Sequence, residues 1–319
     1  MSALRHWLFG PEVSIVHQFH RPPYGGGNQF LLALRKELSG RGFDVGANRV
    51  GRRTRACLFN SFNFEDRQLR PLAGMTGGRV HRVDGPVGTY RGTDHAVDER
   101  ISALNLRHAD ATVFQSRYSL EAHTALGLPF RSPVAIPNAV DPDVFHREGR
   151  AGWDPGRRIR LVSTSWSDNP NKGFATYKWL DENLDTARYE YTFVGRSPVR
   201  FERARMVAAV PSRELGDILR QHDVYVTASL HEACSNGLLE ALACGLPALY
   251  VESGSNGELV GEGGIGFAAE ARGEEIVDGL ERLAAEYESR QARIAIPSLA
   301  EVADRYLAVM GLPPRASRP

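Results

Sequence analysis

Paired cysteines are missing from this chain. Its three cysteines, Cys57, Cys234 and Cys244, show no Cys-x-x-Cys spacing and form an odd set. That argues against a disulfide framework and a zinc site and fits a reducing compartment. Long hydrophobic runs are missing too. The apolar stretches are strand-sized, too short to cross a bilayer as a helix. The opening stretch MSALRHWLFGPEVSIV has neither the long apolar core nor the small-residue cleavage site of a signal peptide. No tandem repeat of solenoid length occurs. What is present suits a globular protein: 42% apolar and 24% charged residues among 319, enough for about two domains of ordinary size. A soluble cytoplasmic protein is expected.

The net charge is only +1, but it is unevenly spread. Residues 1–140 hold 18 Lys and Arg against 11 Asp and Glu, and the remainder holds 21 against 27. A basic half joined to an acidic half implies two domains with different partners. Arg49, Arg52, Arg53 and Arg55 cluster in the basic half. They form either a solvated surface loop or a patch that attracts an anionic acceptor or an anionic membrane surface.

Strand-like and helix-like stretches alternate along the chain. The pattern predicts strands over 13–19, 55–62, 79–84, 111–115 and 133–137, with helices over 29–39, 98–108 and 118–126. A segment rich in Pro, Gly and charge, 141–158, reads as a linker. The pattern then restarts, with strands over 159–163, 189–195, 224–228 and 247–251. Helices are expected over 173–184, 212–222, 236–243, 274–288 and 299–310. Strands separated by helices of this length imply βαβ units and parallel sheets. The expected fold class is α/β: two Rossmann-like, doubly wound domains, 1–140 and 159–297, facing across a cleft. The C-terminal helix and tail, 298–319, are a candidate for packing back on the first domain.

The most informative stretch is SLHEACSNGLLEALACGLPALYV, residues 229–251. Glu232 follows a strand, Ser235-Asn236-Gly237 opens a helix, and Glu240 lies one turn into it. A helix start offers unpaired N–H groups and a positive dipole end, where small residues allow a diphosphate to approach. Glu232 would face the same ligand, and Glu240 could accept bonds from vicinal ribose hydroxyls. An isolated Glu pair would otherwise be a cap and a solvated helix residue. In the first half, Gly25-Gly26-Gly27-Asn28 sits between a strand and a helix, and its glycines allow close backbone approach. A dinucleotide GxGxxG would need Gly at position 30, which is Phe30, so that reading fails. Arg91 and His95, with Asp94 and Asp98, form a dense polar group; Arg91 is the better candidate for an anionic ligand.

The Glu232–Glu240 block resembles the E-x7-E region of retaining glycosyltransferases of family 4, which have the two-domain GT-B fold. The resemblance extends to Pro22–Phe30, Ala109–Ser119, Ile136–Phe145 and Asn171–Phe174. It implies that Glu232 binds hydroxyls of a donor sugar and Glu240 the nucleotide ribose. Backbone around Ser235, Asn236, Gly237 and Leu238 would meet the phosphates. Lys172 would neutralise the leaving diphosphate, a cationic role that this fold typically fills without a metal. The glycine loop would lie near the donor phosphate and the acceptor. Two positions depart from the family pattern. Trp166 stands where an Arg usually precedes the lysine, and Arg196, after Gly195, is a candidate replacement. Asp84 occupies the usual place of a His and could orient a sugar hydroxyl or the acceptor nucleophile. The expected activity is metal-independent transfer with retention, from a nucleotide sugar to a hydroxyl of a glycan, lipid-linked or small-molecule acceptor. Peripheral contact with the inner face of a membrane is expected, and no nucleic acid partner. Alternatives are a sugar-nucleotide epimerase of the same fold and a non-catalytic nucleotide-sugar-binding protein.

Overall fold

The computed structural model describes residues 9–20 and 26–316. Gly25, the first residue of the expected glycine loop, lies outside them. The chain divides into two compact units. Of the described residues, the first takes in those up to His20, Gly27–Ala139 and those from Pro297; the second takes in Gly26 and Val140–Ile296.

The first unit is built on six parallel strands: β1 (Val13–Val16), β2 (Val45–Ala47), β3 (Ala56–Asn60), β4 (Gly78–Val83), β5 (Ala111–Phe114) and β6 (Pro133–Ala135). Their order in the sheet is β2-β1-β3-β4-β5-β6. Helices α1 (Gly26–Gly40), α2 (Val87–Arg91), α3 (His95–His108) and α4 (Arg117–Ala125) make the connections, with a 3-10 helix over Asp66–Gly74. Strands β1 and β3 are buried along their whole length, which explains their near-continuous apolar sequences. In α1, Phe30, Leu31, Leu34 and Leu38 recur at helical spacing and are among the residues it buries.

The second unit repeats the plan with β7 (Ile159–Ser165), β8 (Tyr189–Gly195), β9 (Arg205–Val207), β10 (Val224–Thr227), β11 (Ala248–Val251) and β12 (Gly264–Phe267). Its sheet order is β12-β11-β10-β7-β8-β9, the doubly wound order of dinucleotide-binding folds. Helices α5 (Phe174–Asn183), α6 (Ser212–Arg220), α7 (Asn236–Ala243), α8 (Asn256–Val260), α9 (Gly273–Ala285) and α10 (Tyr287–Ala292) cover it. A single helix expected over 274–288 is two. The chain turns at Glu286 and seats Tyr287, which stacks on Trp153 at 4.0 Å and donates its hydroxyl to the Asp223 carbonyl at 2.9 Å. The short strands β2, β9 and β12 and helices α2 and α8 carry too few residues for their periodicity to show in the sequence.

The last helix, α11 (Leu299–Val309), belongs to the first unit. Val302, Ala303, Tyr306 and Leu307 are fully buried in the same cluster as Phe30, Leu34 and Ile136. Arg41, on the turn after α1, bonds to Asp304 and to the Ala300 carbonyl. A segment nearly 300 residues from β1 in sequence thus completes the core around it. Leu307→Ala should destabilise the first unit by about 2–5 kcal/mol, the usual cost of emptying a buried leucine site. Urea denaturation followed by circular dichroism checks this.

Candidate active site

In the second unit the strand order reverses between β7 and β10, which pair in parallel. Ligands of open α/β sheets bind beyond the carboxyl ends of the strands at such a point. The chain leaving β7 leads to Asn169, whose side chain caps the Pro170–Lys172 turn by accepting from the Asn171 N–H. The chain leaving β10 leads to Glu232. The two loops are joined: the Leu230 N–H donates to the Asn171 carbonyl at 2.7 Å. Gly173 between Lys172 and α5 has φ +78°, and a Cβ there would lie 2.2 Å from the Ala228 carbonyl oxygen. Only glycine lets the lysine turn rest this closely on the end of β10.

That seating brings Lys172 Nζ within 2.5 Å of Glu232 Oε1, in a pair whose side chains are 19% and 13% exposed. The glutamate loop is braced from behind. The Ser255 N–H donates to the Glu232 carbonyl at 2.8 Å, and Asn256 Nδ2 donates to the carbonyls of Ser229 and Val251. Gly254, with φ +62°, leaves no space for a Cβ beside the Glu232 backbone. The Ser253-Gly254-Ser255 turn was legible as a turn in the sequence, but nothing there shows which loop it supports.

Glu240 is the fifth residue of α7 and is 6% exposed. Its Oε2 is buried and has no hydrogen-bond partner among the described residues. Burial alone pushes its carboxyl up to about 8, since an unpaired charge is costly away from water. Ser235 caps α7 and accepts from the Leu238 N–H at 3.4 Å, so that N–H is already used. Gly237 packs where a Cβ would meet Thr164 Oγ1 at 2.6 Å and the Tyr225 hydroxyl at 2.8 Å. The helix start therefore sits directly on β7 and β10. Asn236 opens the helix, half-buried.

Gly195 ends β8 beside Ser165, with φ +118°. The next N–H, of Arg196, donates to the Ser165 carbonyl at 2.8 Å, and the Arg196 side chain is exposed. Trp166 is partly buried and packs against the cluster of Phe145, Val194 and Leu238. The position where the family pattern has a cation is here occupied by an apolar packing residue.

The first unit also gathers polar groups at strand ends. Arg82 is fully buried and lies 5.0 Å from the Phe30 ring centroid. It donates to Asn60, to Asp84 Oδ1 at 3.1 Å and to Asn138 Oδ1 at 2.8 Å. Gln115 also donates to Asp84 Oδ1 and accepts from Asn138. Both bonds to the Asp84 carboxylate fall on one oxygen. Gly27 is part of this group, since a Cβ there would lie 3.7 Å from Arg82 Nη1. Asn28 is buried and exchanges hydrogen bonds with the His20 backbone, closing the loop before α1. Gly26 is the first residue of α1. His17, whose pKa burial lowers to about 4, lies 3.4 Å from Asn60.

Arg91 and His95 are exposed; Arg91 faces Asp94 at 3.4 Å, and the His95 ring lies against Gly88. No bond among the described residues joins either to Asp84. Asp98 is structural: its carboxylate accepts the Val87 and Gly88 N–H groups at 2.7 and 2.8 Å. Sequence reasoning missed Arg82, although its spacing of two from Asp84 puts both on one side of an extended chain.

Among the described residues no helix is long and apolar enough to cross a membrane. Residues 202–295, which include α7 and both glutamates, match the family model for glycosyl transferases group 1. Solved structures of similar fold include sucrose-phosphate synthase from Thermosynechococcus elongatus, at 15% identity and TM-score 0.64, covering 93% of this chain and 94% of that one. The catalytic domain of starch synthase IV from Arabidopsis thaliana, bound to ADP and acarbose, is 12% identical at TM-score 0.71, covering 94% and 99%. HepE of Anabaena, in complex with UDP and glucose, is 13% identical at TM-score 0.69, again covering 94% and 99%. None of the curated proteins matches the chain by sequence. The fold, two Rossmann-like α/β units, is the one found in these solved structures. The family match lies wholly within the second unit, over residues 202–295.

The raised pKa of Glu240 has a thermodynamic signature. The folded chain keeps a proton on this carboxyl up to about pH 8, whereas the unfolded chain releases it near 4.5. Stability contributed by the protonated form is therefore lost as pH rises through that window. Glu240→Gln stays neutral throughout. Its stability relative to the parent chain should increase steadily from pH 5 to pH 8 in denaturation series, and a constant difference would contradict the burial argument.

Proposed function

We propose that the protein transfers a sugar from a nucleoside-diphosphate donor to a hydroxyl acceptor, with retention at the anomeric carbon. The observation that carries this reading is the buried Glu240 carboxylate, with an oxygen lacking any partner, one turn into a helix that starts at the strand reversal. Such a carboxylate suits the vicinal hydroxyls of a ribose, which would supply the missing bonds. Complexes of the similar Anabaena and Arabidopsis proteins with UDP and with ADP support the same ligand class.

In this reading the start of α7, around Ser235, Asn236, Gly237 and Leu238, receives the diphosphate. Lys172 and Glu232 neutralise each other in the free chain. On donor binding Glu232 turns to hydroxyls of the sugar, and Lys172 to the diphosphate. The carbon–oxygen bond to the phosphate breaks with its electron pair on the leaving group, stabilised by the ammonium and the helix end. The acceptor oxygen attacks the same face, and its proton passes to a departing phosphate oxygen. The reaction is proposed to be metal-independent, with Lys172 supplying the cation. Arg196, exposed at the end of β8, is proposed as a second cation in place of the one Trp166 does not provide. Asp84, with one carboxylate oxygen turned away from Arg82 and Gln115, is proposed to orient a sugar hydroxyl or the acceptor; Gly25, Gly26, Gly27, Asn28, Arg91 and His95 are proposed for the same side. The exposed Arg49, Arg52, Arg53 and Arg55 support an anionic or lipid-linked acceptor and peripheral contact with the inner face of the membrane, with no nucleic acid partner.

Glu232→Ala should abolish transfer in a donor screen while the melting temperature stays near the parent's; near-normal turnover would sink the assignment. Lys172→Ala should lower kcat by about 10²- to 10³-fold, the usual effect of removing one electrostatic contact to developing charge. Transfer should persist in excess EDTA, and its loss with recovery on adding a divalent cation would overturn the metal-independent step.

A further inference from the structure

The second unit holds a cavity of about 540 Å³ that includes neither glutamate nor Lys172. Arg158, Arg160, Tyr191, Arg203, Arg205 and His222 are among its walls. These residues belong to the amino ends of β7, β8 and β9 and to the turn before β10. Lys172 and Glu232 follow the carboxyl ends of β7 and β10, so the cavity is at the other end of the sheet.

The charge of the lining is not balanced. Register pairs Arg160 with Glu190 and Thr192 with Arg205, which puts these four side chains on one face. Arg158 is matched by Glu190. Arg160 shares the single buried Asp223 carboxylate with Arg157. Asp181 accepts three backbone N–H groups, from Glu202, Arg203 and Ala204, and faces Lys178. Arg203 donates to the Glu182 and Leu184 carbonyls, 2.7 Å each, and meets no carboxylate among the described residues. The Arg205 side chain makes no hydrogen bond or ion pair among the described residues. His222 shares a hydrogen bond with the Thr192 hydroxyl at 3.0 Å, and burial lowers its pKa, so it adds a polar wall without a competing charge. Two guanidinium charges are left uncompensated in a half of the chain that carries 21 basic against 27 acidic residues. The volume exceeds that of a bare phosphate and lies within the roughly 300–1,000 Å³ of small-molecule sites.

We propose that this cavity binds a phosphate monoester of a small polar molecule, with Arg205 and Arg203 receiving the phosphate. A guanidinium presents two parallel N–H groups to phosphate oxygens and stays charged at every physiological pH. The proposal is independent of the donor site and survives whatever that site is found to bind.

The test uses the full chain carrying Lys172→Ala, which removes a phosphate contact from the donor site. Inorganic phosphate and ribose 5-phosphate are titrated by calorimetry. Ribose 5-phosphate should bind more tightly than inorganic phosphate, and both should weaken as salt is raised. Adding Arg205→Gln should weaken both about tenfold, the loss of one charge-assisted contact. Arg205→Lys should recover part of that loss. Because Arg205 is exposed, neither variant should lower the melting temperature appreciably. Binding that is undetectable in the Lys172→Ala chain, or unchanged by Arg205→Gln, overturns the proposal, as does Arg205→Lys binding no better than Arg205→Gln.

Discussion

Parallel pairing of β7 with β10 is the constraint on which the candidate site depends. The two strands are neighbours in the sheet although some sixty residues separate them. Their connections leave in opposite directions, so the loops at their carboxyl ends part and expose the start of α7. For the loops to lie against these ends, the backbone must approach closely. Glycine is required at Gly173 and Gly195, where positive φ coincides with a carbonyl oxygen in the place of a Cβ. Gly237 serves the same end by letting α7 settle on Thr164 and Tyr225. Glycines that look permissive in a sequence here enforce contact.

Electrostatics at this point is arranged by burial. A carboxylate on the inner side of a helix resists ionisation, and Glu240 does so strongly. Lys172 and Glu232 avoid the same penalty by holding each other. The free protein therefore keeps one acid protonated and one pair neutralised. Each can be exchanged for contacts to hydroxyls and a diphosphate without stranding a bare charge. In the first unit Arg82 is a parallel case: a guanidinium with no exposure, held by Asn60, Asn138 and Asp84. Removing a single partner of such a group costs more than the bond itself, because the charge remains buried. Asp84 is thus bound to the structure by one carboxylate oxygen and open at the other.

The two basic features of the chain differ in kind. Arg49, Arg52, Arg53 and Arg55 are exposed on a loop, where charge is screened by salt. The arginines of the cavity come from separate segments and line one concave space beside the buried Thr192 and His222. Only the first was visible as a cluster in the sequence. The second exists because parallel strands bring their amino ends together, placing Arg158, Arg160, Arg203 and Arg205 around one space.

Much of the architecture was legible from periodicity. The strand over Tyr189–Gly195 and the helix over Asn236–Ala243 have the bounds that alternation and capping residues imply, because local hydrogen bonding and burial of one face act over a few residues. The block from Glu232 to Glu240 pointed to a helix start flanked by acids, and helix geometry alone places Glu240 one turn in. Tertiary structure decided the rest. That Glu240 faces inward without a partner, that Lys172 meets Glu232 across sixty residues, that Trp166 is consumed in packing and that Arg82 stands beneath Asp84 all depend on which strands are neighbours. Propensity and pattern are short-ranged, whereas strand order is set by how whole layers bury their apolar faces. The residues capable of the chemistry were determined by the sequence; their company and their charge were determined by the fold.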